Sequence, residues 1–249
     1  MSLSFPDVHR QQMRHSVCNH DRLYVEELQE QLLRLRNATV FALNEMLDLK
    51  DIDTGMHSTR LAEWAVRVGE LMVMSDSDLR DLEIGAILHD IGKNGVPEYI
   101  LNKPAALDLN ERKQVEKHSE YGWAILRTIP GLEKTSLLVL HHHERIDGEG
   151  YPSHLRNSDI PLGSRVIAVI DSFDAMVSDR PYRKGLSVDE ALRRLTAGSR
   201  TQFDADIVAI FRRIAEHDFA DVRDLDVRPK LDTFLSFATK SPEAGKTKL

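Results

Sequence analysis

Residues 84–93, IGAILHDIGK, carry the pattern on which the fold prediction depends. The apolar residues are spaced as in a helix that faces a protein core, and His89 and Asp90 stand near the end of that run. Neighbouring residues of a helix diverge by about 100°, so both side chains cannot approach one metal ion from the same direction. A carboxylate shared between two ions would remove this difficulty. The alternative is a histidine that only interacts with the negative end of the helix dipole.

The helical pattern continues on both sides of this stretch. Segments such as HSTRLAEWAVRVGELM, LGSRVIAVIDSFDAMV and DADIVAIFRRIAEH place apolar residues three and four apart. VIAVI at 166–170 alone resembles a buried strand, but its continuation into DSFDAMV favours a helix. No strand-turn-strand series and no internal repeat is present. We therefore predict an all-α fold, a single helical bundle with a longer N-terminal helix.

The chain divides into four predicted parts. Residues 1–22 are expected to be a flexible leader, 23–46 an N-terminal helix, 47–225 the main domain and 226–249 a polar tail. Leu28, Leu32, Leu35 and Thr39 follow a heptad-like spacing, which suits a homodimer seam and an ordinary core-facing helix equally well.

Composition limits the function classes. The chain has 249 residues, 41% of them hydrophobic, a net charge of -7 and a single cysteine, Cys18. Broad DNA or RNA binding is unfavourable without a basic face, and no apolar run is long enough for a membrane span. The lone cysteine excludes an intrachain disulfide and indicates a reducing compartment, so the cytoplasm is the expected location.

Further histidines and aspartates stand at helical positions. Asp53 and His57 are spaced i, i+4, His118 lies in VEKHSEYG, and Asp171 interrupts an apolar helix. A buried carboxylate needs a charged partner or a metal to offset its desolvation. Each histidine alone is more often a satisfied core or surface residue. Together they offer nitrogen and oxygen ligands without thiolates, which suits iron, manganese or nickel better than structural zinc.

Five motifs occur in a fixed order: TGMHSTRL, HDIGKNGVPEYIL, KHSEYGWAIL, HHERIDGEGYP and VIDSFDAMVSDRPYR. In this order and spacing they resemble the HD-GYP family of cyclic dinucleotide phosphodiesterases, a branch of the HD hydrolase superfamily. The resemblance covers roughly residues 45–215. It implies a helical catalytic domain at 47–225 that binds divalent metal ions and hydrolyses cyclic di-GMP or, in some members, cyclic GMP-AMP.

The resemblance also implies a set of site residues. Asp90 is the expected bridge between two ions, and Asp53 matches a position where some members carry a glutamate ligand for a third ion. Because aspartate is shorter, two ions are expected. The full set of implied metal ligands is His57, His89, Asp90, His118, His142, His143 and Asp171, with Asp53 added only if a third ion binds.

The GYP loop and the segment DRPYR are expected to contact substrate. We predict that Gly148 and Gly150 adopt positive φ and that Pro152 stiffens the loop. Tyr151 would lie at the rim of the site, while Arg180 and Arg183 match residues that hold phosphate in the family, a role that suits guanidinium groups. Lys93 adds positive charge near Asp90. His141 matches no ligand position. His142 and His143, being adjacent on a helix, should diverge and serve different ions.

The implied reaction is attack of a metal-bridging hydroxide on one phosphodiester of the ring, which gives linear pGpG. A second cut to GMP stays open. Asp90 and Lys93 are the expected catalytic residues, and Lys93 or a metal-bound water is the candidate proton donor to the leaving oxygen. The expected cofactor is a pair of iron ions, with manganese or nickel as alternatives. Two other interpretations stay open: a phosphohydrolase of other nucleotides, and a cyclic dinucleotide-binding signalling module with little catalysis that engages partner proteins.

Overall fold

The computed structural model describes residues 5–48, 54–179 and 184–220. The described part of the chain contains ten α-helices and two 3-10 helices, joined by turns and loops. The α-helices are α1 (Phe5–Asp48), α2 (Thr54–Leu71), α3 (Asp76–Leu88), α4 (Glu98–Leu101), α5 (Leu109–Glu116), α6 (His118–Leu126), α7 (Glu133–Leu140), α8 (Leu162–Val177), α9 (Val188–Ala197) and α10 (Ala205–Ala220). The 3-10 helices are Ile91–Gly95 and Asn157–Asp159.

The all-α prediction is confirmed, because the described ranges contain no strand and only one isolated bridge, between Ser199 and Phe203. The ambiguous VIAVI segment lies inside α8. The N-terminal helix begins at Phe5, ahead of the predicted start near Leu23. The division into leader, helix, main domain and tail otherwise stays a prediction.

Helix α8 occupies the centre of the core. Its Val166, Ile170 and Phe173 are fully buried, and Phe173 meets Trp64 of α2 edge-on, at 5.7 Å between ring centroids. Such burial stabilises the fold by about 1.5–3 kcal/mol for each large apolar side chain. The central position of α8 matters for the site, because the same helix carries Asp171 and Asp174 on the turn that includes Phe173.

Local signals explain several helix starts. Asp108 and Glu111 form a complete capping box at the start of α5, and the Ser187 side chain accepts a hydrogen bond from the Glu190 amide at the start of α9. Among the described residues, no helix combines the length and the apolar content that a bilayer crossing needs.

Candidate metal centre

The structure brings together six of the predicted ligands in two neighbouring groups. His57, His89 and Asp171 form the first group, and His118, His142 and His143 form the second. Within each group the candidate ligand atoms all lie within 4.8 Å of one another. Segments far apart in sequence meet here, from α2, from the turn after α3, from the start of α6, from the turn after α7 and from α8.

In the first group, Asp171 is the shared contact. Its Oδ1 lies 3.7 Å from Nε2 of His57 and 3.7 Å from Nε2 of His89. The side chain of His89 is buried, while those of His57 and Asp171 remain 18% and 22% exposed. The group is therefore open on one side, as a site that admits a ligand must be.

In the second group, His142 and His143 belong to the same triad, with ring centroids 3.9 Å apart. The prediction that these two side chains diverge is therefore wrong, and both belong to one group of candidate ligands. Helix α7 ends at Leu140, so both residues lie in a turn, where the helical angle between neighbours does not apply.

Asp90, the seventh predicted ligand, lies between the two groups. Its Oδ2 is 3.3 Å from Nε2 of His89, and its Oδ1 is 3.5 Å from Nε2 of His118. Each carboxylate oxygen thus faces a different group, which is the geometry of a bridging carboxylate. Lys93, one turn further along the 3-10 helix, donates to Asp90 from 2.7 Å.

Three of the rings are oriented by their own backbone. Nδ1 of His89, His118 and His142 lies 2.9, 2.7 and 2.6 Å, respectively, from the carbonyl oxygen three residues earlier. A carbonyl can only accept, so each Nδ1 carries the proton and donates it. In the neutral rings of His118 and His142, Nε2 is then the lone-pair nitrogen, and both lone pairs face the cluster.

This arrangement fits a bound cation. Nε2 of His118 and Nε2 of His142 lie 3.3 Å apart. Since both Nδ1 atoms carry the protons of neutral rings, the two lone pairs face each other and repel unless a positive charge lies near both. Nε2 of His89 is buried and has no hydrogen-bond partner. A metal ion would satisfy both observations.

The pKa values of the second group agree with this donor set. Burial lowers the pKa values of His118, His142 and His143, that of His143 to about 3, so these rings are neutral, as metal ligands must be. Burial also opposes protonation of His89, but the negative charges of Asp90 and Asp171 outweigh it and raise the pKa of His89 to about 9. The first group therefore favours a positive charge.

Sequence reasoning missed Asp174, which supports the first group from outside. Asp174 is fully buried, and its two oxygens accept from Nδ1 of His57 and from the guanidinium of Arg60. Burial would raise the pKa of Asp174, yet His57 and Arg60 lower it. A carboxylate that orients a metal-binding histidine is a common outer partner. The signal was present, because Asp174 lies one helical turn after Asp171.

The loop that follows the second group is held by Glu144. The buried carboxylate accepts from the amides of Ser153 and Leu155, at 2.6 and 3.1 Å. Gly148 has a positive φ of 79°, as predicted. The same prediction for Gly150 is wrong: this glycine is required by close packing, since an added Cβ would lie 2.6 Å from the carbonyl oxygen of His143.

A pocket of about 510 Å³ opens beside the second group. The Tyr151 ring forms part of its wall and lies 4.9 Å, centroid to centroid, from His143. Burial and the charge of Glu116 raise the pKa of Tyr151, so its hydroxyl keeps its proton. Asp53, Arg180 and Arg183 lie outside the described residues.

A family model described as "HD domain" matches residues 28–207. The curated relatives include a cyclic di-GMP phosphodiesterase of Thermotoga maritima, 37% identical over 72% of this chain and 49% of its own length. A cyclic di-GMP phosphodiesterase of Pseudomonas aeruginosa is 38% identical over 75% of this chain and 45% of its own. A 3'3'-cGAMP-specific phosphodiesterase of Vibrio cholerae is 34% identical over 70% of this chain and 38% of its own length. The chain thus spans half or less of the length of these relatives.

Solved structures share the fold. A cyclic GMP-AMP-specific phosphodiesterase of V. cholerae superposes with a TM-score of 0.54 at 20% identity, over 72% of this chain and 48% of the other. The HD domain of the L. monocytogenes phosphodiesterase PgpH in complex with cyclic di-AMP gives a TM-score of 0.55 at 16% identity. The match covers 76% of this chain and 100% of the other.

Proposed function

The chain belongs to the HD domain family, and from this premise we propose that it is a metal-dependent phosphodiesterase of bacterial cyclic dinucleotides. The proposed substrate is cyclic di-GMP, with cyclic GMP-AMP as an alternative, and the products are linear pGpG and then GMP. Hydrolysis would lower the level of a second messenger. The observation that carries the proposal is Asp90, whose two oxygens face two separate groups of metal-ligand side chains.

The proposed metal ligands are those that the structure groups. His57, His89 and Asp171 would hold one ion, His118, His142 and His143 the other, and Asp90 both. When bound, two divalent ions would supply Lewis acidity and would lower the pKa of the water bound to them toward neutral. Iron is the proposed metal, with manganese or nickel as alternatives, because the donors are imidazole and carboxylate. A third ion would involve Asp53.

The remaining roles concern substrate and protons. Lys93 holds a proton at Nζ, 2.7 Å from Asp90, and is the proposed donor to the leaving 3' oxygen. Tyr151 is proposed to contact the substrate from the pocket wall, with Gly150 and Pro152 shaping the loop that carries it. Arg180 and Arg183 are proposed to bind phosphate, on the strength of the family resemblance.

The proposal extends to assembly and location. Leu28, Leu32 and Leu35 are 45, 57 and 65% exposed on α1, which supports a homodimer that pairs two copies of this helix. Light scattering tests it: the mass of one chain would contradict the dimer. The cytoplasm is the proposed compartment, as the single cysteine suggests.

The deciding experiment is an anaerobic product assay. Purified protein loaded with iron or manganese is incubated with cyclic di-GMP or cyclic GMP-AMP, and the products are separated by chromatography. We expect linear dinucleotide to appear, and Asp90→Ala to abolish both metal loading and turnover. Asp189→Ala, at an exposed position at the start of α9, is the matched control. A wild-type protein that holds metal and gives no product would contradict the proposal.

A further inference from the structure

The pocket beside the second group contains a carboxylate that the proposed reaction does not use. Three glutamates line the pocket: Glu116, Glu144 and Glu149. Both oxygens of Glu144 already accept from the backbone of the GYP loop. Glu149 is exposed in that loop. Glu116 ends α5, and its side chain is only 31% exposed, so part of it is covered by the wall.

Glu116 faces the same space as the catalytic groups. It stands two residues before His118, whose ring belongs to the second group. Glu116 and Tyr151 line the same pocket as His142 and His143. A substrate whose phosphate lies at the histidines would therefore extend another part of itself past Tyr151 toward Glu116.

Arg112 contacts Glu116 at the pocket wall. One turn earlier on α5, its Nε donates to Oε1 of Glu116 at 3.1 Å. This contact engages one of the five guanidinium N–H donors and one of the two carboxylate oxygens. The wall therefore presents a carboxylate acceptor and guanidinium donors side by side.

The bases of cyclic dinucleotides differ at that edge. Guanine carries N1–H and N2–H donors beside the O6 acceptor, whereas adenine carries an N1 acceptor beside its amino group. A carboxylate can accept both guanine donors. Opposite adenine, its oxygen would meet the N1 lone pair, so the carboxylate would face a second acceptor in place of a donor, and such a mismatch discriminates between ligands.

We propose that Glu116, oriented by Arg112, binds the donor edge of a guanine base and thereby sets the preference of this pocket for guanine-containing cyclic dinucleotides. The inference rests on the proposed phosphodiesterase function, which supplies the substrate. It assigns to α5 a specificity role that is separate from the metal ligands.

The test is a comparison of three substrates with Glu116→Gln. We expect kcat/KM for cyclic di-GMP to fall roughly tenfold or more, which corresponds to about 1.4 kcal/mol. Hydrolysis of bis(p-nitrophenyl) phosphate, which has no base, should stay within about twofold of wild type on this account. Hydrolysis of cyclic di-AMP should not fall, because the new amide can donate to N1 of adenine. Glu120→Gln, an exposed residue of α6 outside the pocket, is the charge-matched control.

Two measurements separate the possible failures. If wild type hydrolyses cyclic di-GMP and Glu116→Gln keeps the wild-type ratio of cyclic di-GMP to cyclic di-AMP rates, the inference is wrong while the proposed function stands. The inference is equally wrong if Glu149→Gln changes the ratio instead. If wild type hydrolyses neither substrate, calorimetric binding of both dinucleotides to wild type and Glu116→Gln tests base recognition without turnover, and equal affinity ratios overturn it.

Discussion

Asparagine at position 174 would test how far one buried carboxylate organises the metal centre. Asp174 accepts from His57 and from Arg60 with its two oxygens and is fully buried. Asp174→Asn conserves volume but leaves one acceptor oxygen and introduces an amide that can only donate. One of the two donors must therefore lose its partner, and the His57 ring loses the charge that orients it.

The expected size of the effect follows from that loss. A hydrogen bond to a charged group contributes about 1.5–3 kcal/mol. Removing an outer partner of a metal-binding histidine costs about 10- to 100-fold in metal affinity or activity. That range equals about 1.4–2.7 kcal/mol, so the two figures agree. We therefore expect Asp174→Asn to bind the ion of the first group about 10- to 100-fold more weakly.

The assay is calorimetric titration of metal-free protein with manganese, followed by kcat/KM for cyclic di-GMP at saturating metal. Asp189→Asn is the exposed control. We expect one weakened and one nearly unchanged binding event, with activity partly restored by excess metal. Wild-type affinity for both ions in Asp174→Asn would refute the assigned role of this carboxylate.

Three further outcomes are expected. Glu144→Gln should raise KM for the substrate several-fold, because the amide cannot accept from both loop amides; an unchanged KM would count against this role. Gly150→Ala should lower kcat/KM at least tenfold, since the added Cβ forces the loop to shift, and thermal unfolding will show whether the domain itself survives. Asp218→Asn should reduce the free energy of unfolding by about 1 kcal/mol. Asp218 pairs with Arg67 and accepts from Trp64. The effect is small because the Arg67 side chain is 35% exposed and water screens the pair. Since these partners lower the pKa of Asp218 below 3.8, the difference between wild type and Asp218→Asn should persist at neutral pH and vanish as pH falls through that lowered pKa; a difference that disappears near pH 6 would contradict it.

The sequence predicted the helical architecture and the membership of the cluster because both leave periodic or ordered marks. Apolar spacing identified α8 as a helix despite its β-branched run. The ordered motifs named His57, His89 and Asp171 from distant segments, and the structure brings those three together. Residue order alone could not show the grouping of the histidines.

The errors have a common physical cause. His142 and His143 were assigned to different ions because a helix was extended through them, but α7 ends at Leu140 and the turn brings both rings to one side. Gly150 was given a positive φ, although its constraint comes from a neighbouring carbonyl. Asp174 was missed because outer partners are recognised only when the ring they orient has been located. Tertiary geometry decides all three.

The ratio of metal to protein tests the central claim most directly. We expect metal-free protein that is reloaded anaerobically with iron, manganese or nickel to hold two ions per chain, one for each group of ligands that meets at Asp90. The number of ions held by Asp90→Ala should fall below one per chain, because both groups lose the ligand between them. A wild-type protein that retains one ion or none with each of the three metals would contradict the account.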